Sequence, residues 1–172
     1  VGNIRRAAAQ SPHATAIALE WSDLDPRLGL RVCGGWGAAL HADIVQVAAA
    51  TLERVEQEIR TLSPVCPMVV SLPTLPIPPI TYTPGWQAGL VDLHLSELCA
   101  RFAIRIAEVP RVAVVSAARL GLLSPVSERL DVKADLARGF PYRQQHAEVL
   151  ASMMASLIRA AEPKKGVITD LD

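Results

Sequence analysis

Two aspartates near the end of the chain have a spacing that suits phosphoryl chemistry. The stretch GVITDLD, residues 166–172, is a short run of β-forming residues that leads to Asp170 and Asp172. At the tip of a strand, one such carboxylate can attack phosphorus while the other protonates the leaving group, and a magnesium ion offsets their repulsion from phosphate. Solvated turns often show the same spacing. The residues alone leave both interpretations open.

A second group of charged residues follows the first predicted strand. Glu20, Asp23, Asp25 and Arg27 lie within ten residues of one another in a loop rich in Asp, Pro and Gly. Such a cluster could bind a cation or orient a polar substrate. The alternative is a network of Asx-turns in which Arg27 pairs internally, because Asp before Pro commonly starts a turn.

The sequence contains no complete nucleophile motif. Neither GDS nor GxSxG occurs, and CGGWG, residues 33–37, lacks the pattern of a phosphate loop. His146 begins the last long predicted helix, where it could act as a base, although no DxxH spacing accompanies it. The alternative role for His146 is capping or packing. The other three histidines share no metal-binding spacing.

Composition restricts the classes of partner and the compartment. Lys plus Arg equals Asp plus Glu at 17 each, so no net charge favours nucleic acid or an anionic membrane. Cys33, Cys66 and Cys99 form no close pair, which favours reduced thiols, and Cys66 and Cys99 are predicted to be small core residues. No apolar run is long enough to span a bilayer. We therefore expect one cytoplasmic domain in these 172 residues.

Strand and helix patterns alternate along the chain, which predicts an α/β fold with a parallel sheet and helices on both faces, in three αβα layers. The first strand, a continuous apolar run, is predicted to be buried on both faces. The last long helix is predicted to bury Val149, Met153 and Leu157. The predicted strands are 14–21, 68–72, 111–116 and 164–169, and the predicted helices are 3–10, 42–62, 85–105 and 144–161.

The loops after parallel strands meet at one edge of a sheet. This edge collects the candidate residues for binding a substrate or partner, which are Glu20, Asp23, Asp25, Arg27, Ser71, Thr74 and Ser116. The pattern begins with a helix and ends with a strand, so we expect an intact domain to have a further strand before residue 3. Truncation of the domain at both ends would explain why the pattern begins with a helix and ends with a strand.

Four stretches of the sequence resemble one family. KKGVITDLD, residues 164–172, closely resembles the start of the haloacid dehalogenase-like (HAD) phosphatase domain in FkbH-like proteins. ALEWSDLDPRLGLR (18–31), SLPTLPIPP (71–79) and SPVSERLDVKADLARGFPYRQQHAEVLA (124–151) resemble the N-terminal region of the same family. The resemblance implies that residues 1–162 form an SGNH-hydrolase-like domain with a flavodoxin-like parallel sheet lacking its first strand. Residues 163–172 would be the first strand and a partial DxD motif of the HAD-like domain.

The resemblance also implies a function. FkbH-like enzymes take a glyceryl group from bisphosphoglycerate, remove phosphate and load glycerate onto the phosphopantetheine thiol of an acyl carrier protein in polyketide-type biosynthesis. By matching motif positions, Asp170 would be the attacking carboxylate and Asp172 its acid/base partner, both near magnesium. Later motif residues, including a Ser or Thr, a Lys and further acidic metal ligands, do not occur in these 172 residues. We therefore expect no phosphatase or transferase activity from this chain alone.

Three functional hypotheses follow. The first is an accessory domain that positions a substrate, the acyl carrier protein or the HAD-like catalytic domain. The second is an SGNH-like esterase or acyltransferase with His146 as its base and a nucleophile outside these residues. The third is a structural module that mediates interactions such as homo-oligomerisation.

Overall fold

In the described residues, a three-stranded parallel sheet is packed between helices. The computed structural model describes residues 12–32, 38–77 and 86–161. The strands are β1 (Thr15–Ala18), β2 (Met68–Ser71) and β3 (Val112–Val114), in the order β1-β2-β3. The predicted helix 3–10 and the predicted strand 164–169 lie outside the described residues.

Six α-helices of the described ranges connect or flank these strands. None of these helices is both long and apolar enough to cross a membrane. Two short 3₁₀ helices, Pro26–Leu28 and Val126–Glu128, lie in the connections. The α-helices are α1 (Trp21–Leu24), α2 (Ala38–Leu62), α3 (Leu90–Ala107), α4 (Ala117–Leu123), α5 (Val132–Arg138) and α6 (Gln144–Ala161).

The two faces of β2 contact different helices. Met68 and Val70 lie in one cluster with Phe102 of α3 and with the buried face of α2. Val69 lies in a second cluster with Leu150 and Met154 of α6, since successive side chains on a strand point to opposite faces. Helices therefore pack on both faces of a parallel sheet, which confirms the predicted α/β class.

The apolar periodicity of α2 is confirmed. Ile44, Ala48, Leu52, Val55 and Ile59 are all buried at spacings of three and four residues, as expected for one face of a helix. The helix begins at Ala38, ahead of the predicted residue 42, because alanine and leucine continue the helix-forming composition towards the N-terminus.

The prediction that the first strand is buried on both faces is wrong. Ile17 is buried, whereas Ala16 and Ala18 on the other face are exposed. β1 lies at an edge of the described sheet, and α6 packs over β2 rather than over β1. The strand is also shorter than predicted, because Trp21 begins helix α1.

The predicted inner face of the last helix is displaced by one residue. Its bounds agree with the prediction, but the buried row is His146, Leu150 and Met154. The predicted residues Val149, Met153 and Leu157 are only partly buried. An amphipathic helix shows a broad apolar stripe, and the layer that it meets decides which row is fully covered.

The connection after β3 has more structure than predicted. The sequence of residues 116–142 predicts mostly surface chain with a possible short helix, and the structure contains two short helices there, α4 and α5. Ser116 and Asp131 are the N-caps of these helices, since their side chains accept hydrogen bonds from the Arg119 N–H at 3.3 Å and the Ala134 N–H at 2.8 Å.

Direct pairing of β1 with β2 restricts where any further strand can join. Ile17 is the register partner of Val70, and β1 and β2 are neighbours. A strand that precedes residue 3 could therefore join this sheet only at an edge.

Cys66 and Cys99 are buried and unpaired, as expected for small core residues. Burial raises the pKa of the Cys99 thiol to about 11, which keeps it protonated at neutral pH. Cys33 and the CGGWG stretch lie outside the described residues.

Candidate functional site

A buried polar network lies at the carboxyl ends of the strands. Its carboxylate follows β1, its threonine follows β2, and its histidine is in the first turn of α6. Tyr142 is partly buried, and the other five members are at most 6% exposed. We call this cluster the Glu20 network, and its members are Glu20, Thr74, Ser124, Arg129, Tyr142 and His146.

The Glu20 carboxylate accepts hydrogen bonds from three residues. The Thr74 hydroxyl donates to Oε1 at 2.5 Å, and the Thr74 N–H lies 3.1 Å from both carboxylate oxygens. The Leu75 N–H donates at 3.2 Å, and the Tyr142 hydroxyl donates at 2.9 Å. A buried carboxylate needs such donors to replace water.

His146 connects Glu20 to a serine through Thr74. The Nε2 atom of His146 lies 2.9 Å from the Thr74 hydroxyl oxygen, and Nδ1 lies 2.9 Å from the Ser124 hydroxyl oxygen. Because Thr74 donates its proton to Glu20, its oxygen accepts from Nε2–H, and Nδ1 then accepts from Ser124. A neutral imidazole satisfies both bonds.

Arg129 links two loops of the network through their backbones. Its Nε donates to the Ser124 carbonyl at 2.9 Å, and one terminal nitrogen donates to the Thr74 carbonyl at 2.7 Å. Burial lowers the pKa of Arg129, and the charge of Glu20 opposes that effect. The guanidinium is thus a positive charge enclosed beside His146.

The pKa values of the network follow from this enclosure. Burial raises the pKa of Glu20, although the hydrogen bonds from Thr74, Leu75 and Tyr142 oppose the shift. Burial and the charge of Glu20 raise the pKa of Tyr142. Burial, with a contribution from Arg129, lowers the pKa of His146 to about 4. His146 is therefore neutral at pH 7, and a neutral ring is compatible with both of its hydrogen bonds.

A pocket of about 240 Å³ opens beside Glu20. Trp21, Leu75 and Leu130 contribute apolar lining, and the Trp21 indole N–H is held by the Leu75 carbonyl at 2.8 Å. Arg31 also lines the pocket and donates to backbone carbonyls of α5, including that of Asp135. The pocket is therefore a mostly apolar recess between the loop after β1 and the α5 region.

Gly139→Ala is expected to lower the free energy of unfolding by about 1–2 kcal/mol. Gly139 ends α5 with φ of 73°, and an L-residue is strained in this left-handed region. A Cβ would also approach the Arg31 guanidinium to 3.4 Å, which is tight. Chemical denaturation would measure the change. Gly121→Ala, whose nearest contact would be 3.9 Å, is the control and should cause no loss.

The acidic residues after β1 do not converge on one site. Asp25 pairs with Arg27 at 2.5 Å, and Arg27 also contacts Asp43 at 2.7 Å. Burial alone would raise the pKa of Asp25, but hydrogen bonds from Arg27 hold it below its usual value. The Asp23 carboxylate accepts from the backbone N–H of Glu20 at 2.8 Å and closes a capping box. This arrangement corresponds to internal pairing of Arg27 within a turn network.

The carboxylates at this edge do not fit a magnesium site. Those of Glu20 and Asp25 are occupied by hydrogen-bond donors from the protein. In the described ranges, no group of three or more His, Cys, Asp or Glu residues could hold a metal ion. Asp170 and Asp172, the magnesium ligands that the resemblance implies, lie outside the described residues.

The remaining predicted residues are separate from the network. The Ser71 hydroxyl is buried and donates to the Leu72 carbonyl at 3.1 Å. Ser116 is exposed at the start of α4. Of the predicted site residues, the structure brings the side chains of Glu20, Thr74 and His146 together.

Sequence reasoning missed three members of the network, Ser124, Arg129 and Tyr142. They lie in the connection after β3, for which the sequence predicts mostly surface chain with a possible short helix. The signal that could have found them is the stretch 124–151, which resembles the FkbH-like family. All six members of the Glu20 network fall within stretches 18–31, 71–79 and 124–151.

Comparisons with known proteins identify no relative, since no family model, curated protein or solved structure matches this chain.

Proposed function

We propose that this chain is the N-terminal accessory region of a cytoplasmic FkbH-like enzyme. The enzyme would transfer a glyceryl group from bisphosphoglycerate to an acyl carrier protein, and this region would position a substrate or partner. Chemistry would belong to a HAD-like domain that begins at residues 163–172, where Asp170, Asp172 and magnesium act. The three-layer fold would then be of the flavodoxin-like, SGNH-like type.

One observation carries the proposal, namely that the three upstream stretches that resemble the family meet in space. They supply every member of the Glu20 network. They also supply every residue that lines the adjacent pocket except Val32. The three stretches that carry the resemblance are far apart in sequence, yet together they form the Glu20 network and the adjacent pocket.

The chemistry of the Glu20 network supports a positioning role. In the described residues, every buried side-chain nitrogen or oxygen has a hydrogen-bond partner. Ser124 is 4% exposed and is not among the residues that line the pocket. The network uses its hydrogen-bonding groups to hold three loops together, and the pocket beside it provides the exposed recess.

The coding sequence beyond Asp172 tests the parent family directly. We expect it to continue through an Asp-Thr pair and to encode a lysine further on. With bisphosphoglycerate, magnesium and an acyl carrier protein, the longer protein should release phosphate and form a glyceryl thioester. The 172-residue chain should do neither. A stop codon directly after Asp172 would contradict the proposal.

A surface variant tests the positioning role in that longer protein. Arg31→Ala removes a cationic side chain that lines the pocket. We expect this variant to lower the rate of glyceryl transfer about tenfold and to leave phosphate release unchanged. Arg101→Ala is the control, because Arg101 is exposed on α3, where it forms an ion pair with Glu97. Equal transfer by the two variants would exclude a positioning role for the pocket.

A second candidate function is an SGNH-like esterase. The observation in its favour is the chain of hydrogen bonds from Ser124 through His146 and Thr74 to Glu20, which has the components of a serine hydrolase relay. A fluorophosphonate probe should label Ser124 if this serine becomes accessible. Ser124→Ala should then abolish labelling and ester hydrolysis, whereas Ser116→Ala should preserve both. Absence of labelling in the native chain would exclude Ser124 as the nucleophile.

A further inference from the structure

An apolar groove of about 660 Å³ lies between α4, α6 and the end of β3. Val114 of β3 and Leu123 of α4 line it, and Leu123 is 59% exposed. Helix α6 contributes side chains spaced by three and four residues, which is the spacing of one helix face. We call this face the α6 seam, and it consists of Val149, Ser152, Met153 and Ser156.

The α6 seam has the composition of a surface that packs against another helix. The adjacent side of α6 is already buried, because Leu150 and Met154 lie in one cluster with the sheet. In the seam itself, Val149 and Met153 are only partly buried within the described part of the chain. Its two serines are small and exposed, so the backbone of a second helix can approach closely while the apolar side chains provide contact area.

Charges of opposite sign lie at the two ends of the α6 seam. Glu148 precedes the seam, Arg159 follows it, and both side chains are exposed. Their separation in sequence is close to three full helical turns, so they lie on one side of α6, roughly 16 Å apart. Glu148 accepts a hydrogen bond from the neutral Gln144 amide at 2.8 Å. Within the described residues neither charge forms an ion pair, although Arg119 lines the same groove.

We propose that the α6 seam is the two-fold interface of a homodimer, in which α6 of a second copy lies antiparallel across it. A surface with opposite charges at its two ends complements itself after a rotation of 180°, because Glu148 of each copy then faces Arg159 of the other. The same rotation brings the two Met153 side chains together near the axis. The chain carries 17 positive and 17 negative residues, so no net charge keeps two copies apart. The inference concerns the 172-residue chain and does not rest on the proposed function.

Analytical ultracentrifugation of the 172-residue chain tests the association. We expect a monomer–dimer equilibrium at concentrations of about 10–100 μM. Met153→Lys places a charge at the centre of the seam and should raise the dimer Kd at least about tenfold. Ala151→Lys is the control, because Ala151 is exposed and does not line this groove, and it should leave the Kd unchanged. A monomer at every concentration up to about 100 μM would overturn the proposal, as would equal effects of the two variants.

Charge reversal distinguishes a second copy from any other occupant of the groove. Glu148→Arg and Arg159→Glu should each raise the dimer Kd at least about tenfold, because each variant then places like charges opposite one another twice. An equimolar mixture of the two variants should dimerise about as well as the native chain, because both facing pairs then have opposite signs. Glu53→Arg, at an exposed position on α2, is the control and should dimerise normally. A mixture that stays monomeric, or an unchanged Kd in either single variant, would overturn the proposal.

Discussion

Glu20→Ala is expected to lower the free energy of unfolding by about 3–5 kcal/mol. The substitution removes the buried acceptor for the hydrogen bonds from Thr74, Leu75 and Tyr142. Each buried donor left without a partner costs about 1–3 kcal/mol. The loss should exceed that of an ordinary surface substitution severalfold, and urea denaturation would measure it at neutral pH.

Glu97→Ala is the control for this prediction. It removes the same type of side chain from an exposed ion pair with Arg101 on α3. Surface pairs of this kind contribute about 0–1 kcal/mol. If Glu20→Ala and Glu97→Ala lower the unfolding free energy equally, the Glu20 network does not hold these loops together.

His146 is expected to make stability depend on pH between 4 and 6.5. Its pKa in the folded protein is about 4, below the ordinary value of 6.5, so the unfolded chain binds the proton first as pH falls. The contribution of neutral His146 is complete above pH 6.5 and is lost as pH falls through this window. At about 1.4 kcal/mol per pKa unit, the loss is on the order of 3 kcal/mol.

The groups around His146 determine how this effect is measured. Glu20 acts in the opposite direction, because its raised pKa makes the folded state take up a proton first as pH falls. Arg129 remains charged over this range. The informative quantity is therefore the difference in unfolding free energy between the native chain and His146→Gln at each pH.

We expect His146→Gln to be less stable than the native chain at pH 7 and to approach it towards pH 4. Urea denaturation at closely spaced pH values would show the two curves converging. His94→Gln, at an exposed position on α3, should retain the full slope of the native chain. Parallel curves for the native chain and His146→Gln would contradict the assigned role of His146.

The sequence predicted those parts of the fold that depend on local periodicity. The buried stripe of α2 and the bounds of α6 are visible as spacings within one segment. The buried strand β2 follows from a short apolar run of β-branched residues. The alternation of these segments also predicted a parallel sheet with helices on both faces, because parallel strands need a crossover connection.

Part of the candidate site could also be predicted from the sequence. Because the loops after parallel strands meet at one edge, the sequence predicts that Glu20 and Thr74 lie near each other. It leaves open whether His146 acts as a base or serves in capping or packing. The sequence left open whether Arg27 joins a binding site or pairs internally, and the structure pairs it with Asp25 and Asp43. Several partners were available to each charge, and the folded distances select among them.

Only the tertiary structure determined which polar groups form hydrogen bonds with one another and which apolar side chains are buried. Tyr142 reaches Glu20 across 122 residues of sequence, and His146 reaches Thr74 across 72. No local pattern encodes such contacts, since they depend on how separate loops pack. The same reason explains β1 and α6, where packing leaves Ala16 exposed and Val149, Met153 and Leu157 only partly buried. The sequence by itself determined the long helices, the strand β2 and their order, and packing between distant segments determined the Glu20 network.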